Sequence, residues 1–193
     1  MRHFVLNTMG NFDDDDLCLL RNFVDGIGMK GWRVHKGEPL APVYPQDAKV
    51  FMSDDSPGIK LSSLIGNTVN MLLVSRELKE TIEKHCGNSA EYLPLSIYDH
   101  RKRLYGRDYT LINPLRIHDC LDFKASDIDW DEENPDEILY VARRILAREK
   151  LKDAPPLFRI ARDTSTYVVG EALASEMQQR GFTNVVLIEL PIR

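Results

Sequence analysis

The chain has 193 residues, of which 43% are hydrophobic and 28% charged, with a formal net charge of −5. That length buries a real core as one large domain or two small ones, and the composition is that of an ordinary globular protein. The acidic balance argues against nonspecific nucleic-acid binding, which shows a basic surplus, and no apolar run reaches membrane-spanning length. The first residues lack the apolar core of a signal peptide. Cys18, Cys86 and Cys120 are scattered and odd in number, which fits reduced thiols in a cytoplasm better than a disulfide framework.

In chain order, RHFVLNT (residues 2–8) reads as a short strand ended by Gly10 and Asn11. Asp13, Asp14, Asp15 and Asp16 follow, and residues 17–26 are expected to form a helix entered from that acidic run. Residues 26–57 are rich in Gly and Pro and are expected to be mostly irregular, with short strands at WRVH and KVFMS. Residues 71–97 read as strand, helix, turn, strand. A charged connection and a strand broken by Pro114 come next, then an acidic segment, DIDWDEEN. The best-marked helix of the chain is expected directly after it. Asn134 is placed as its cap, Pro135 at its first position and Asp136 and Glu137 in its first turn, with an apolar stripe of Ile138, Val141, Ala142, Ile145 and Leu146. APPLFRIAR supplies a strand before a second strand, helix, turn and strand at residues 166–192.

The two long units align without a gap at an offset of 95. Val74 meets Val169, Leu78 meets Leu173, Ile82 meets Met177 and Ile97 meets Ile192. The shared positions are apolar, whereas Ser75, Arg76 and Glu77 face Gly170, Glu171 and Ala172. A duplicated active site would keep its polar groups, so the repeat is architecture. The expected fold is α+β, with two related β-α-β units (residues 71–97 and 166–192) packed against a less regular, strand-containing N-terminal portion. Residues 1–60 form that portion within the same globule, and residues 61–193 form the domain that contains both units.

No reaction centre stands out. Asp127, Asp129 and Asp131 take the 1, 3 and 5 positions of a calcium loop, but Glu132 stands where Gly is required and Ile138 where Glu is required. Asp13–Asp16 could hold a metal ion but have no second acidic cluster placed by a recognisable motif. His118 and Cys120 would share a strand face as a nucleophile pair, without a flanking oxyanion motif. Arg101, Lys102, Arg103 and Arg107 surround Tyr105, a pattern able to grip single-stranded nucleic acid, but Asp99 and Asp108 bracket them.

YTLINPLRIHDCLDFKASDID (residues 109–129) resembles the YYLLNVL…DALDxxxS signature of a bacterial immunity-protein family with a myxobacterial prototype, found in polymorphic toxin systems. PLFRIARDTSTYVVGEALASEMQQRGFTNVVLIEL (residues 156–190) is similar to a later element of the same family, and LLVSRELKETIEKHC (residues 72–86) to an earlier one. The resemblance covers residue 61 to the C-terminus, and Gly170 stands where Ser is usual. It implies a cytoplasmic, non-catalytic protein without cofactor or metal, whose partner is a cognate toxin domain and not nucleic acid or membrane. An inhibitor of this kind needs a shaped, charged surface. The candidate toxin-contacting residues are Asp13, Asp14, Asp15 and Asp16, with Asp127, Asp129, Trp130, Asp131, Glu132 and Glu133. A competing reading packs Trp130 on the following helix and uses the acids as caps. Two alternatives to immunity are a small metal-dependent hydrolase or nuclease, and a regulatory adaptor that binds a non-toxin protein.

Overall fold

The computed structural model describes residues 2–193. In chain order the elements are β1 (His3–Asn7), β2 (Leu19–Leu20), α1 (Trp32–Lys36), β3 (Lys49–Phe51), β4 (Leu64–Asn67) and β5 (Leu72–Ser75), then α2 (Arg76–Cys86). There follow β6 (Ala90–Tyr98), β7 (Leu104–Pro114), β8 (Ile117–His118), β9 (Asp127–Trp130), β10 (Ile138–Arg143) and β11 (Leu157–Ile160). The chain closes with β12 (Asp163–Gly170), α3 (Glu171–Gln179) and β13 (Val186–Glu189). The fold is α+β.

Two mixed sheets carry the architecture, a six-stranded one in the order β2-β4-β5-β7-β6-β3 and a five-stranded one in the order β13-β1-β12-β11-β8. In the first repeat unit, β5 and β6 both run antiparallel to β7, which lies between them. In the second, β12 and β13 both run antiparallel to β1, which lies between them. Both units are therefore split β-α-β motifs with one strand inserted. The inserted strand follows its unit in the first case and comes from the opposite end of the chain in the second.

Strand alternation sends successive side chains to opposite faces, so each sheet serves two cores. Leu72, Val74 and Ile112 of one sheet and Phe4, Leu6, Tyr167 and Val169 of the other face a shared central core, filled by Leu78 and Ile82 of α2 and Leu173 and Met177 of α3. Leu73 and Leu111 point the other way, where Cys18, Leu20, Val34 and Val50 cover them. Phe158, Ile160 and Val168 are covered on their outer side by Cys120, Leu121, Val141 and Leu146.

The cores meet at Arg159, which is fully buried. Its Nε donates to Pro114 O at 3.1 Å, one Nη to Thr164 O at 2.7 Å, and the other to Asn113 Oδ1 at 3.2 Å and Tyr167 Oη at 3.1 Å. Asn113 Nδ2 in turn donates to Glu38 O and to Glu91, whose carboxylate accepts from Leu40 N and Ala41 N. One hydrogen-bonded chain thus ties the segment after α1 to both sheets.

Three sequence expectations are corrected. Residues 17–26 are not helical: Cys18 and Leu20 are buried with Leu19 half-buried between them, a two-residue period, and β2 pairs in parallel with β4. WRVH is helix rather than strand, because Ile27, Gly31 and Val34 are buried at spacings of four and three, and Gly37 ends the turn with a left-handed φ of 65°. The expected helix after Asn134 is instead the strand β10, preceded by a turn in which Asn134 O accepts from Glu137 N at 2.8 Å.

Candidate interaction surface

β9 and β10 form a two-stranded antiparallel hairpin outside both large sheets. Ile138 pairs with Trp130, Tyr140 with Asp129, Val141 with Ile128 and Arg143 with Asp127, with irregular steps between Ile138 and Tyr140 and between Val141 and Arg143. Each bulge adds one unpaired residue to β10. The inward side chains are consequently three apart, Ile138 and Val141, both packed with Ile128 against the outer core of the five-stranded sheet. Leu139 and Tyr140 face outward, 63% and 62% exposed.

The hairpin is rooted firmly. Val141 is buried, and Trp130 packs against Phe123 with ring centroids 5.9 Å apart. At the neck, Ser126 Oγ both donates to Ile145 O and accepts from Ile145 N. At the tip, Asp131 Oδ1 accepts from Glu133 N at 2.7 Å and Asn134 N at 3.0 Å, while Arg162 Nη1 donates to Asp136 O. Trp130 therefore packs on Phe123 and not on a following helix, and the acids cap none.

Charge is concentrated here. Residues 127–143 hold seven acids and one base, Arg143, a formal −6 within a chain of −5, so the remainder of the molecule is net +1. None of the seven carboxylates forms an ion pair among the described residues. Asp127, Asp129, Glu132 and Glu133 are exposed, and Trp130 and Asp131 are half-buried. Both strands also keep a free edge, but the bulges and acidic side chains disfavour addition of a foreign strand.

Asp13, Asp14, Asp15 and Asp16 occupy successive turns at the end of β1 instead of a helix N-terminus. Asp13 N and Asp16 N are held by the side chains of Asn11 and Asp14, and Lys60 reaches Asp14 at 3.9 Å. Asp14 and Asp15 border a cavity of about 160 Å³ with Phe12, Arg21 and Asp55. No hydrogen bond or ion pair joins this turn to the hairpin among the described residues, so the two acidic segments are separate features.

His118 and Cys120 do not have the setting of an activated nucleophile, since Cys120 is fully buried. His118 Nε2 donates to Lys150 O at 2.7 Å, and burial pushes the Cys120 thiol up to about 12. Burial likewise raises Cys18, to about 12, and Cys86, to about 11. The pair that sequence reasoning missed is Leu139 and Tyr140. Its signal was available, since both are large apolar residues that fall outside the stripe assigned to their segment.

No curated protein matches the chain. The family model of the immunity protein family Imm11 matches residues 33–190, which begins well before residue 61 and takes in β3 and α1 from its second residue but neither β1 nor β2. On that match, which spans most of its length, the chain belongs to the Imm11 immunity protein family.

Proposed function

We propose that this protein neutralises a cognate antibacterial toxin by binding it in the cytoplasm of the cell that makes both, without catalysis of its own, and that the β9–β10 hairpin is the principal docking element. One observation supports this reading above the rest: a charge of −6, none of whose carboxylates is in an ion pair among the described residues, is gathered on one rooted hairpin beside two exposed large apolar side chains. Unpaired carboxylates steer a basic partner and set the register of docking, while Leu139 and Tyr140 supply the apolar area that holds it. Trp130 supports the hairpin from beneath through Phe123. The acidic turn at Asp13–Asp16 is a secondary contact for a partner broad enough to reach it.

The test is protection. The toxin domain encoded beside this gene is expressed in a sensitive strain with the wild-type protein or with a variant carrying Leu139→Ser and Tyr140→Ser. Wild type should rescue growth and the variant should not, with both present at equal soluble levels. Equal rescue by the two proteins contradicts the hairpin assignment, and absence of rescue by wild type contradicts the function.

A further inference from the structure

A second exposed apolar pair sits on the turn leading into α1 and on its first residue. Met29 and Trp32, three residues apart on consecutive helical turns, are 82% and 54% exposed. Trp32 stands edge-on to His35 with ring centroids 5.1 Å apart, and His35 Nε2 is anchored on Val69 O at 2.9 Å. The indole is thus braced at the surface, while Ile27 and Val34 take the inward face. Residues 29–36 contain Lys30, Arg33 and Lys36 and no acid. Arg33 is steadied by Pro39 O and lies 4.0 Å from Glu38, whereas Lys30 and Lys36 have no ion-pair partner among the described residues. Exposed apolar side chains gathered together and rimmed by one sign of charge mark an interaction site.

The chain carries a counterpart to this patch. The hairpin presents Leu139 and Tyr140 among carboxylates; the α1 patch presents Met29 and Trp32 among cations. No hydrogen bond or ion pair connects residues 29–36 with residues 127–143 within one molecule among the described residues, so both faces are available to a neighbour. We propose that the α1 patch receives the acidic hairpin of a second copy of this chain, Met29 and Trp32 meeting Leu139 and Tyr140, with Lys30, Arg33 and Lys36 opposite the hairpin acids. A twofold arrangement makes the contact twice and closes the assembly as a dimer. This rests on the hairpin being the toxin-docking element, as proposed above, and adds a regulation of that site. Toxin and sister molecule compete for one hairpin, so self-association covers Leu139 and Tyr140 in the resting cell and a tighter-binding toxin dissolves the pair.

Sedimentation velocity on the full-length protein, without toxin, tests this. The weight-average mass should rise with concentration from 22.2 kDa toward twice that value. It should fall back when salt of about 0.5 M shortens the screening length to a few ångströms. One variant carries Met29→Ser and Trp32→Ser, the other Leu139→Ser and Tyr140→Ser. Each alone should remain monomeric, and an equimolar mixture should associate, because one intact patch then faces one intact hairpin. A wild type that stays monomeric, a variant that associates alone, or a mixture that does not associate overturns the proposal. So does loss of toxin protection in the Met29 and Trp32 variant, which would assign the patch to the toxin, or binding of single-stranded RNA by the patch in place of self-association. Failure of the toxin reading shows separately, as wild-type protein that does not protect.

Discussion

The guanidinium of Arg159 lies 4.3 Å above the ring of Tyr167, and the same Arg donates a hydrogen bond to that tyrosine's hydroxyl. The Tyr167 hydroxyl donates onward to Asn70 O at 2.9 Å. No carboxylate pairs with this fully buried cation among the described residues; backbone carbonyls, Asn113 and the aromatic face hold it instead. Arg159→Met leaves Pro114 O, Thr164 O and Asn113 Oδ1 without their donor. At about 1 kcal/mol or more for each orphaned acceptor, urea denaturation should show a loss of about 3 kcal/mol. A loss below about 1 kcal/mol would mean that the network is incidental to stability.

Ser75 and Gly170 occupy equivalent positions ahead of α2 and α3, but only Ser75 offers an oxygen, which accepts from Leu78 N at 3.5 Å. Gly170 has the extended backbone of a cap residue, and a Cβ there would meet nothing closer than Pro156 O at 3.7 Å. Gly170→Ser should therefore stabilise the protein by a few tenths of a kcal/mol, and Ser75→Ala should cost about 1 kcal/mol. Paired thermal melts of the two variants check both signs.

His3 is buried, and its Nδ1 has no hydrogen-bond partner. Burial above all, with His118 adding to it, holds its pKa below the ordinary 6.5, against a weaker opposing pull from Glu171. The folded state therefore binds its proton less readily than the unfolded chain. Stability from this source is complete above about pH 6.5 and is lost as the pH falls from there toward the folded-state value. Hydrogen bonds from Arg2 lower Glu171, and the bond from His85 leads those that lower Glu176, so these carboxylates add a loss in the same direction at lower pH. His3→Phe should flatten the upper part of the pH dependence and leave the lower part intact. An unchanged profile between pH 7 and pH 5 would contradict this.

Hairpin charge should appear in kinetics before it appears in equilibrium. The rate constant for toxin association should fall roughly tenfold between about 0.01 and 0.15 M salt, with dissociation changing far less. Replacing Asp127, Asp129, Glu132 and Glu133 with their amides should remove most of that dependence. Stopped-flow binding separates the two rate constants.

The repeat was legible in the sequence because α2 and α3 keep an unbroken helical period and their flanking strands keep their apolar runs. The position of β1 between β12 and β13 was not, since it joins residues 3–7 to segments more than 150 residues away with no local signal. At the candidate surface, composition revealed the acids but not their setting. The first bulge in β10, at Leu139, places Ile138 and Val141 on one side at a spacing of three, which imitates a helix stripe, and Pro135 after Asn134 completed the imitation. The same error hid Leu139 and Tyr140, since a helix would have spread them over its solvated face whereas the strand sets them side by side. α1 was missed for the opposite reason, its inward positions Ile27, Gly31 and Val34 including a glycine that breaks the apolar period in the sequence.

The most direct measurement is the affinity of the cognate toxin domain for wild-type protein and for a hairpin variant, by calorimetry at fixed salt. The variant carries Leu139→Ser and Tyr140→Ser together with Asp127→Asn, Asp129→Asn, Glu132→Gln and Glu133→Gln, and its fold is checked by circular dichroism. The account predicts tight wild-type binding, weakened at least about thirtyfold in the variant, as expected for loss of two apolar anchors and their steering charges. Equal affinity of the two proteins, with both folded, would contradict it.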